Sequence, residues 1–254
     1  MATKAISFHS YKGGTGKTSI AANLAAIYAR LGHRVCLLDY DFRAPSLSVL
    51  FKPNPKFWLN DYLNGRCEVE EALVDVGKGL GLEGAIFAGF ADPSTRAIRD
   101  MMTKDRAWEM GALHRTLSAK RAIQRSLGAD YLIFDTSPGI HYSSVNALAS
   151  SDAIALVMKG DDFDMEGTKE MVRGIYDVLG RKAGIIMNKI PMGFVEGGGI
   201  VKGVEEELNI PALGVIPCYC ELMAIGGRSI YALDRPDHPF SKALEDLSKR
   251  IAGM

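Results

Sequence analysis

The sequence predicts an α/β protein in which one doubly wound, mostly parallel β-sheet is flanked by helices. Short apolar runs rich in β-branched residues alternate with segments of helical periodicity, a pattern that is typical of βαβ units. The chain shows no stretch that resembles an interdomain linker, an internal repeat or a low-complexity tract. Its 254 residues, 47% of them hydrophobic, are therefore expected to form a single domain, residues 1–254, with a substantial core.

Seven strands are expected, each a short apolar run, at residues 5–9, 34–39, 84–88, 131–135, 153–158, 183–187 and 214–216. Five segments with helical periodicity are expected at residues 17–31, 107–126, 165–179, 201–208 and 240–251. The stretch "EGGGIVKG" at residues 196–203 is the loosest in the chain, and its glycines predict a mobile loop.

Composition limits the partners and the compartment. Thirty Lys and Arg balance thirty Asp and Glu, so any contact with nucleic acid or an anionic membrane must come from a local patch. The first residues run directly into a strand, without an apolar stretch long enough for a signal peptide or a spanning helix, which predicts a cytoplasmic protein. The four cysteines are too few and scattered for a disulfide framework and are expected to be thiols: Cys36, Cys67, Cys218 and Cys220.

The first strand leads into a glycine-rich loop within "HSYKGGTGKTSI", residues 9–20. Gly13, Gly14 and Gly16 let the backbone wrap closely around phosphate oxygens, and the next helix presents the positive end of its dipole. Lys17 would reach the β and γ phosphates, and the Thr18 hydroxyl would bind Mg²⁺. An ordinary glycine-rich turn is the alternative, but the strand before and the helix after supply the context that a phosphate-binding loop needs.

Carboxylates follow two later strands, and ligands of parallel sheets bind at the carboxyl ends of the strands. The run "VCLLDYDF" ends in Asp39 and Asp41, which would point the same way on an extended strand. Such a pair could hold a metal-bound water and orient an attacking one, although a cap or turn role is the alternative. In "YLIFDTSPG", Asp135 could accept hydrogen bonds from the water shell of Mg²⁺, and the Gly139 N–H could approach a γ-phosphate.

The last two strands offer groups for a base. Asn188 ends "GIIMNKI", and its amide can present both a donor and an acceptor to a base edge. The backbone beside Pro217 could form the opposite wall. Asparagine is also common in turns, so a turn role for Asn188 stays open.

In this order, "KGGTGKT" at residues 12–18, "DYDF", "DTSPGI", "NKI" and "GVIP" resemble the motifs of the MinD/ParA family of ATPases. The most specific element is the first, which matches that family's deviant Walker A loop K-G-G-x-G-K-[ST]. The resemblance covers nearly the whole chain and is greatest to the MinD branch, whose "DSPAGI" is similar to "DTSPGI". It implies a P-loop NTPase fold with ATP and Mg²⁺ as ligands.

The resemblance also implies roles for individual residues. Lys12, which an ordinary phosphate loop lacks, would reach the nucleotide of a second subunit, so that hydrolysis depends on an ATP-bound homodimer. Lys17 and Asp41 would complete the catalytic set, with Asp41 positioning the attacking water. The metal would lie on Thr18, Asp39 and Asp135, and the nucleotide on Gly13, Gly14, Thr15, Gly16, Lys17, Thr18, Ser19, Gly139, Asn188 and Pro217.

Slow hydrolysis in such a dimer would time the positioning or partitioning of a cargo, together with an activator or cargo protein that the sequence does not identify. Other functions stay open. The nucleotide could merely hold a dimer closed, which would make the protein a non-catalytic ATP-gated scaffold. Cys218 and Cys220 could contribute thiolates to a metal-centre or cofactor-assembly ATPase, or be ordinary buried thiols.

Two further surfaces have alternative readings. The basic segment 96–125 could contact DNA phosphates or form a solvated helix surface. Near the end of the chain, MinD proteins carry a basic amphipathic tail that lies on a membrane, whereas here four apolar residues share one face of a short helix with mixed charge. This pattern predicts packing against the sheet rather than membrane binding, through Phe240, Leu244, Leu247 and Ile251.

Overall fold

A twisted eight-stranded sheet is the framework of the protein, whose computed structural model describes residues 2–195, 199–225 and 229–254. The strands lie in the order β3-β4-β2-β5-β1-β6-β7-β8. Their bounds are β1 Lys4–His9, β2 Arg34–Tyr40, β3 Leu73–Asp75, β4 Ala85–Gly89, β5 Tyr131–Thr136, β6 Ala153–Met158, β7 Lys182–Ile190 and β8 Ala212–Pro217. All neighbouring pairs are parallel except β3 and β4, so the predicted, mostly parallel α/β fold is confirmed.

The seven predicted strands are all present, and the eighth, β3, was not predicted. It has three residues, none of them fully buried, and it pairs antiparallel at the edge of the sheet. A strand this short has no alternating apolar pattern long enough to recognise, since its backbone partners on β4 come from tertiary structure.

The helices are α1 Lys17–Arg30, α2 Leu47–Phe51, α3 Leu59–Leu63, α4 Thr95–Met102, α5 Arg106–Leu127, α6 Tyr142–Ser150, α7 Asp162–Met171, α8 Asp177–Leu179, α9 Met192–Val195, α10 Gly199–Leu208, α11 Cys220–Ile225, α12 Tyr231–Asp234 and α13 Pro239–Gly253. A 3₁₀ turn covers Val69–Ala72, and a π-helical turn, Val172–Tyr176, joins α7 to α8. The five predicted helices are confirmed with shifted ends, and the shorter helices were missed.

The predicted mobile loop at residues 196–203 needs correction. Residues 196–198 lie outside the described part of the chain, but α10 already begins at Gly199. The buried Val204 and Leu208, four residues apart, explain this, because packing of an apolar helix face outweighs the low helix propensity of glycine.

Helices cover both faces of the sheet. On one face α1, α12 and α13 pack over the alternate strand residues that include Ile6, Leu37 and Val157. On the other face α5 and α6 pack near Leu38 and Leu132, while α7, the π-helical turn and α10 enclose a separate apolar cluster. This double winding leaves the loops at the carboxyl ends of the strands free to form a site.

The last helix, α13, is part of the core. Its predicted apolar face is buried against α1 and β8 as expected, through Phe240, Leu244, Leu247 and Ile251. At the other end of β1 from the glycine-rich loop, the Lys4 ammonium donates to the carbonyl oxygens of Ile251 and Ala252, at 2.8 and 2.7 Å. A cation at a helix C-terminus satisfies carbonyls that have no partner within the helix. No helix among the described residues is both long and apolar enough to cross a membrane.

Candidate nucleotide site

The glycine-rich loop lies between β1 and α1 and forms one wall of a cavity of about 620 Å³. Gly14 and Gly16 have φ of 72° and 95°, in the left-handed region that favours glycine. A Cβ on Gly16 would also collide with the side-chain amide of Asn188. The residues that line the cavity include Gly13, Gly14, Gly16, Lys17, Thr18, Ser19, Asp41, Arg43, Ser46, Pro138, His141 and Lys189.

Lys17 provides a largely buried positive charge at the base of this cavity. Lys17 is only 7% exposed, and its ammonium donates to Ser10 Oγ at 2.7 Å. Burial lowers the pKa of Lys17, and the nearby carboxylates of Asp135 and Asp41 oppose that change. A buried ammonium is costly unless it is paired, so an anion in the cavity would be stabilised there.

Asp39 and Asp135 lie side by side on the neighbouring strands β2 and β5, and both are fully buried. Asp39 accepts hydrogen bonds from the N–H groups of Asp41 and Leu47, at 3.1 and 3.3 Å. Neither carboxylate oxygen of Asp135 has a hydrogen-bond partner among the described residues. Burial raises the pKa of Asp135 to about 7, against the opposing effect of the Thr18 hydroxyl and the Lys17 ammonium, and burial likewise raises the pKa of Asp39.

These oxygens fit a magnesium ion with its water shell. Mg²⁺ is bound through one or two carboxylates, retained waters and phosphate oxygens. Asp135, a buried carboxyl without a hydrogen-bond partner among the described residues, offers that chemistry close to Thr18 and Lys17, which line the cavity. Thr18, Asp39 and Asp135 are therefore the residues that could hold the ion directly or through its waters.

Asp41 lies at the cavity, but in a different backbone conformation from the one predicted. The expectation that it shares an extended strand with Asp39 is wrong, because β2 ends at Tyr40 and the chain turns there. The Asp41 carboxylate accepts from the N–H groups of Arg43 and Ala44, at 3.2 and 3.0 Å. Such hydrogen bonds fix the turn and hold the carboxylate at the cavity wall.

The end of β7 is joined to the glycine-rich loop by two consecutive side chains. Asn188 Nδ2 donates to the Thr15 carbonyl oxygen at 2.7 Å, and Lys189 Nζ donates to the Gly14 carbonyl oxygen at 2.9 Å. One N–H of the Asn188 amide is thus bonded within the protein, which leaves its second N–H and its carbonyl oxygen for the base edge that the sequence suggested as a partner. Pro217 ends β8 and pairs in register with Ile190 on the same edge of the sheet. Lys189 was missed, although it directly follows Asn188 in the "NKI" motif.

Lys12 lies on the rim of the site rather than inside it. Its side chain is 43% exposed, and its ammonium is 3.9 Å from Asp161 Oδ1. Asp161 accepts from the Asp164 N–H at 2.9 Å and so caps the start of α7. The sequence analysis overlooked Asp161, although it follows β6 and inspection of each strand end would have found it.

The turn after β5 is held by the end of β1. Gly139 has φ of 73°, and its N–H donates to the Ser10 carbonyl oxygen at 2.8 Å instead of facing the cavity. Two residues farther on, His141 Nε2 lies 3.2 Å from Arg43 Nη1, which connects this turn with the one that carries Asp41. Burial and Arg43 both lower the pKa of His141, so the ring is suited to accept that hydrogen bond.

The remaining sequence signals lie outside this cluster. In segment 96–125, Lys104 and Lys120 form ion pairs with Asp100 and Asp152, whereas several arginines are exposed: Arg96, Arg99, Arg106, Arg121 and Arg125. Cys218 is partly buried just beyond β8, Cys220 is exposed, and both are free thiols. Among the residues that the structure describes, no group of three or more His, Cys, Asp or Glu side chains could hold a metal ion.

Comparison with known proteins connects this geometry with a family. A family model described as an AAA domain matches residues 3–186. An uncharacterised ATP-binding protein of Methanocaldococcus jannaschii is 28% identical over 253 residues, which cover 98% of this chain and 88% of that protein. The septum site-determining protein MinD of Thermotoga maritima is 27% identical over 251 residues, covering 95% and 85% of the two chains.

A solved structure agrees in fold. MinD of Pyrococcus horikoshii, complexed with Mg-ADP, superposes with a TM-score of 0.76 at 20% identity and covers 98% of this chain and 96% of its own. The matched family model includes β1, the glycine-rich loop, Asp39, Asp41 and Asp135. The chain belongs to this AAA domain family and, within it, to the MinD/ParA family of P-loop ATPases.

Proposed function

We propose that the protein binds MgATP in the cavity of the glycine-rich loop and hydrolyses it slowly as an ATP-dependent homodimer. The observation that carries this proposal is the combination of a buried lysine in a glycine-lined cavity with a buried carboxyl close to that lysine, one that has no hydrogen-bond partner among the described residues. Each group is unfavourable on its own, and a magnesium–triphosphate complex would supply charge and ligands for both. The ATP-binding relative and the Mg-ADP bound to MinD support the same ligand.

The residues divide the work by position. The N–H groups of Gly13 to Thr18 and the Lys17 ammonium would hold the phosphates, while Thr18, Asp39 and Asp135 would hold Mg²⁺ and its waters. The metal neutralises charge on the phosphate oxygens when it is bound. Asp41, at the cavity wall, would orient the attacking water, and Asn188 with Pro217 would border the base.

Lys12 gives the reason for a dimer. Its side chain is 43% exposed, with the ammonium 3.9 Å from Asp161, so a second copy of the chain could contact it from solvent. Across such an interface it would place a further positive charge on the partner's phosphates, where negative charge develops during transfer. Hydrolysis would then require two subunits. We infer that this cycle positions or partitions a cargo, as the septum site-determining relative suggests, with a partner protein still to be identified.

Turnover measurements test the proposal. Purified protein is expected to release phosphate from MgATP, and Lys12→Ala or Asp41→Ala should lower the rate at least about a hundredfold, the contribution of one positioned catalytic group. Lys56→Ala, which changes an exposed lysine of the same chain, is the control and should keep the wild-type rate. Full activity of both site variants would contradict the assignment, whereas binding without phosphate release in a single turnover would favour the ATP-gated scaffold.

Dimerisation needs its own measurement. Sedimentation with a non-hydrolysable ATP analogue should show the wild type as a dimer and Lys12→Ala as a monomer or a weaker dimer. A wild type that stays monomeric with bound analogue would remove the proposed role of Lys12.

A further inference from the structure

His9 is a buried histidine that the proposed catalytic set does not use. It ends β1, one residue before Ser10, and its residue is fully buried. Its Nε2 lies 3.0 Å from the Gly139 carbonyl oxygen, and its Nδ1 lies 2.9 Å from the Tyr176 hydroxyl oxygen. One ring therefore contacts both the turn after β5 and the π-helical turn that follows α7.

The chemistry of the partners determines the direction of both hydrogen bonds. Burial lowers the pKa of His9 to about 4, so the ring is neutral near pH 7 and has one donor and one acceptor nitrogen. A carbonyl oxygen can only accept, so Nε2 carries the hydrogen and donates to Gly139. Nδ1 is then the acceptor, and the Tyr176 hydroxyl donates to it.

The Gly139 backbone is held on both sides, by His9 at the end of β1 and by Ser10 directly after it. Its N–H donates to the Ser10 carbonyl oxygen, and its own carbonyl oxygen accepts from His9 and lies 2.9 Å from the Ser144 hydroxyl. If this N–H is to donate to a γ-phosphate instead, its bond to Ser10 must break and the Gly139 backbone must shift. The carbonyl oxygen belongs to the next peptide plane, which shares the Gly139 Cα with the plane of the N–H, so a shift of that Cα moves the carbonyl oxygen and would weaken the His9 hydrogen bond.

On its other side, His9 contacts Tyr176, which lies in an irregular part of the α7–α8 helical segment. Tyr176 closes the π-helical turn Val172–Tyr176, and such turns are rare and occur often at functional sites. Helix α7 also contacts the loop after β1. The Tyr11 ring packs so closely against Gly167 of α7 that a Cβ on Gly167 would overlap the ring. Beyond Tyr176 the side chains of Asp177 and Val178 are exposed to solvent.

We propose that His9 is a positioning residue that couples the Gly139 turn to the π-helical turn at Tyr176, so that a γ-phosphate in the site alters the α7–α8 segment. The inference rests on the proposed nucleotide function and adds to it the route by which the state of the nucleotide reaches the outer surface of the protein. Tyr176 acts through His9 and touches no ligand. The coupling uses two hydrogen bonds that exist only with His9 in its Nε2–H tautomer.

Amide hydrogen exchange of residues 172–179 tests the coupling. In the wild type we expect exchange to be about three- to tenfold faster with a magnesium-bound, non-hydrolysable ATP analogue than without ligand, the effect of losing one buried hydrogen bond. MgADP lacks the γ-phosphate and should leave the ligand-free rate unchanged. In Tyr176→Phe this difference between the analogue and MgADP should disappear while the analogue still binds.

Tyr28→Phe is the matched control. It also removes a buried tyrosine hydroxyl, one that donates to the Ser248 carbonyl oxygen on the opposite face of the sheet, and it should keep the wild-type response. An unchanged analogue response in Tyr176→Phe would overturn the proposal. Calorimetric titration with the analogue distinguishes failure of the proposed nucleotide function from failure of the coupling. A wild type that binds no nucleotide refutes both. A wild type that binds it without any change at 172–179 refutes the coupling alone.

A spectroscopic measurement on the wild type does not depend on the folding of a variant. Nitrogen-15 NMR of the histidine rings should show His9 as the Nε2–H tautomer without ligand, with a change in the Nε2 signal on addition of the ATP analogue and none with MgADP. A His9 ring that carries its hydrogen on Nδ1, or one whose signals ignore the γ-phosphate, would contradict the inference.

Discussion

Asp135→Asn should change how the stability of the ligand-free protein depends on pH. The pKa of Asp135 rises from its ordinary 3.8 in the unfolded chain to about 7 in the native state, because the carboxyl is fully buried, although the Thr18 hydroxyl and the Lys17 ammonium oppose the rise. Between these values the native state binds more protons than the unfolded chain. The contribution is therefore fully present below pH 4 and is lost as pH rises through 7.

The size of the effect follows from the same values. Each tenfold change in proton affinity corresponds to about 1.4 kcal/mol, so ionised Asp135 costs the native state about 4 kcal/mol at most. Structural relaxation and water entry reduce such penalties. Asparagine also removes a negative charge near the Lys17 ammonium, and the loss of that attraction destabilises the variant. We expect the free energy of unfolding of Asp135→Asn, relative to wild type, to rise by about 2 kcal/mol between pH 5 and pH 8.

Urea denaturation at several pH values, with a chelator and without nucleotide, measures this difference. Asp177→Asn, a change to an exposed carboxylate on α8, is the control and should follow the wild type at every pH. Wild-type and Asp135→Asn stabilities that run parallel from pH 5 to pH 8 would refute the reasoning. Addition of MgADP should stabilise the wild type more than Asp135→Asn, because the variant lacks a carboxylate for the ion.

Three other perturbations follow from single contacts. Gly167→Ala should lower the free energy of unfolding by about 1–3 kcal/mol through overlap with the Tyr11 ring, and Tyr11→Ala in the double variant should restore it in urea denaturation; no recovery would contradict the contact. Lys4→Met should cost about 1 kcal/mol and speed amide exchange near the end of α13, whereas unchanged exchange there would mean that the cap is unimportant. If exposed Arg121 and Arg125 contact DNA phosphates, replacing both with serine should reduce the salt slope of DNA binding by about 2; binding that is absent or insensitive to salt would exclude the contact.

The sequence predicted most of the sheet because apolar, β-branched runs buried on both faces carry their own signal. Strand β3 and helices α2 and α3 have five residues or fewer and are formed by contacts with distant segments, which a local pattern does not contain. Among site residues, the loop glycines and Lys17 could be found because their spacing is tied to one backbone shape. Asp41 lies at the cavity, but the pleat of a strand does not place it there: its N–H donates to the Asp39 carboxylate where the chain turns after β2.

Residues that act through the backbone were the ones missed. Lys189 and His9 contact main-chain oxygens 175 and 130 residues away in the sequence, and no motif spacing reports such a contact. The hydrogen bond from one Asn188 amide N–H to the glycine-rich loop was missed for the same reason. Inspection of every strand end, including that of β6, would have found Asp161.

The two bonds from Asn188 and Lys189 to the loop carbonyls have a consequence for how fast a ligand is captured. They hold the glycine-rich loop in its conformation before any phosphate binds. The conformational entropy of ordering the loop is therefore lost during folding and not when the ligand associates. Nucleotide should therefore enter at a rate close to that of diffusional encounter, with no slow isomerisation of the loop in stopped-flow traces. The slow step of the ATPase cycle would then follow nucleotide binding.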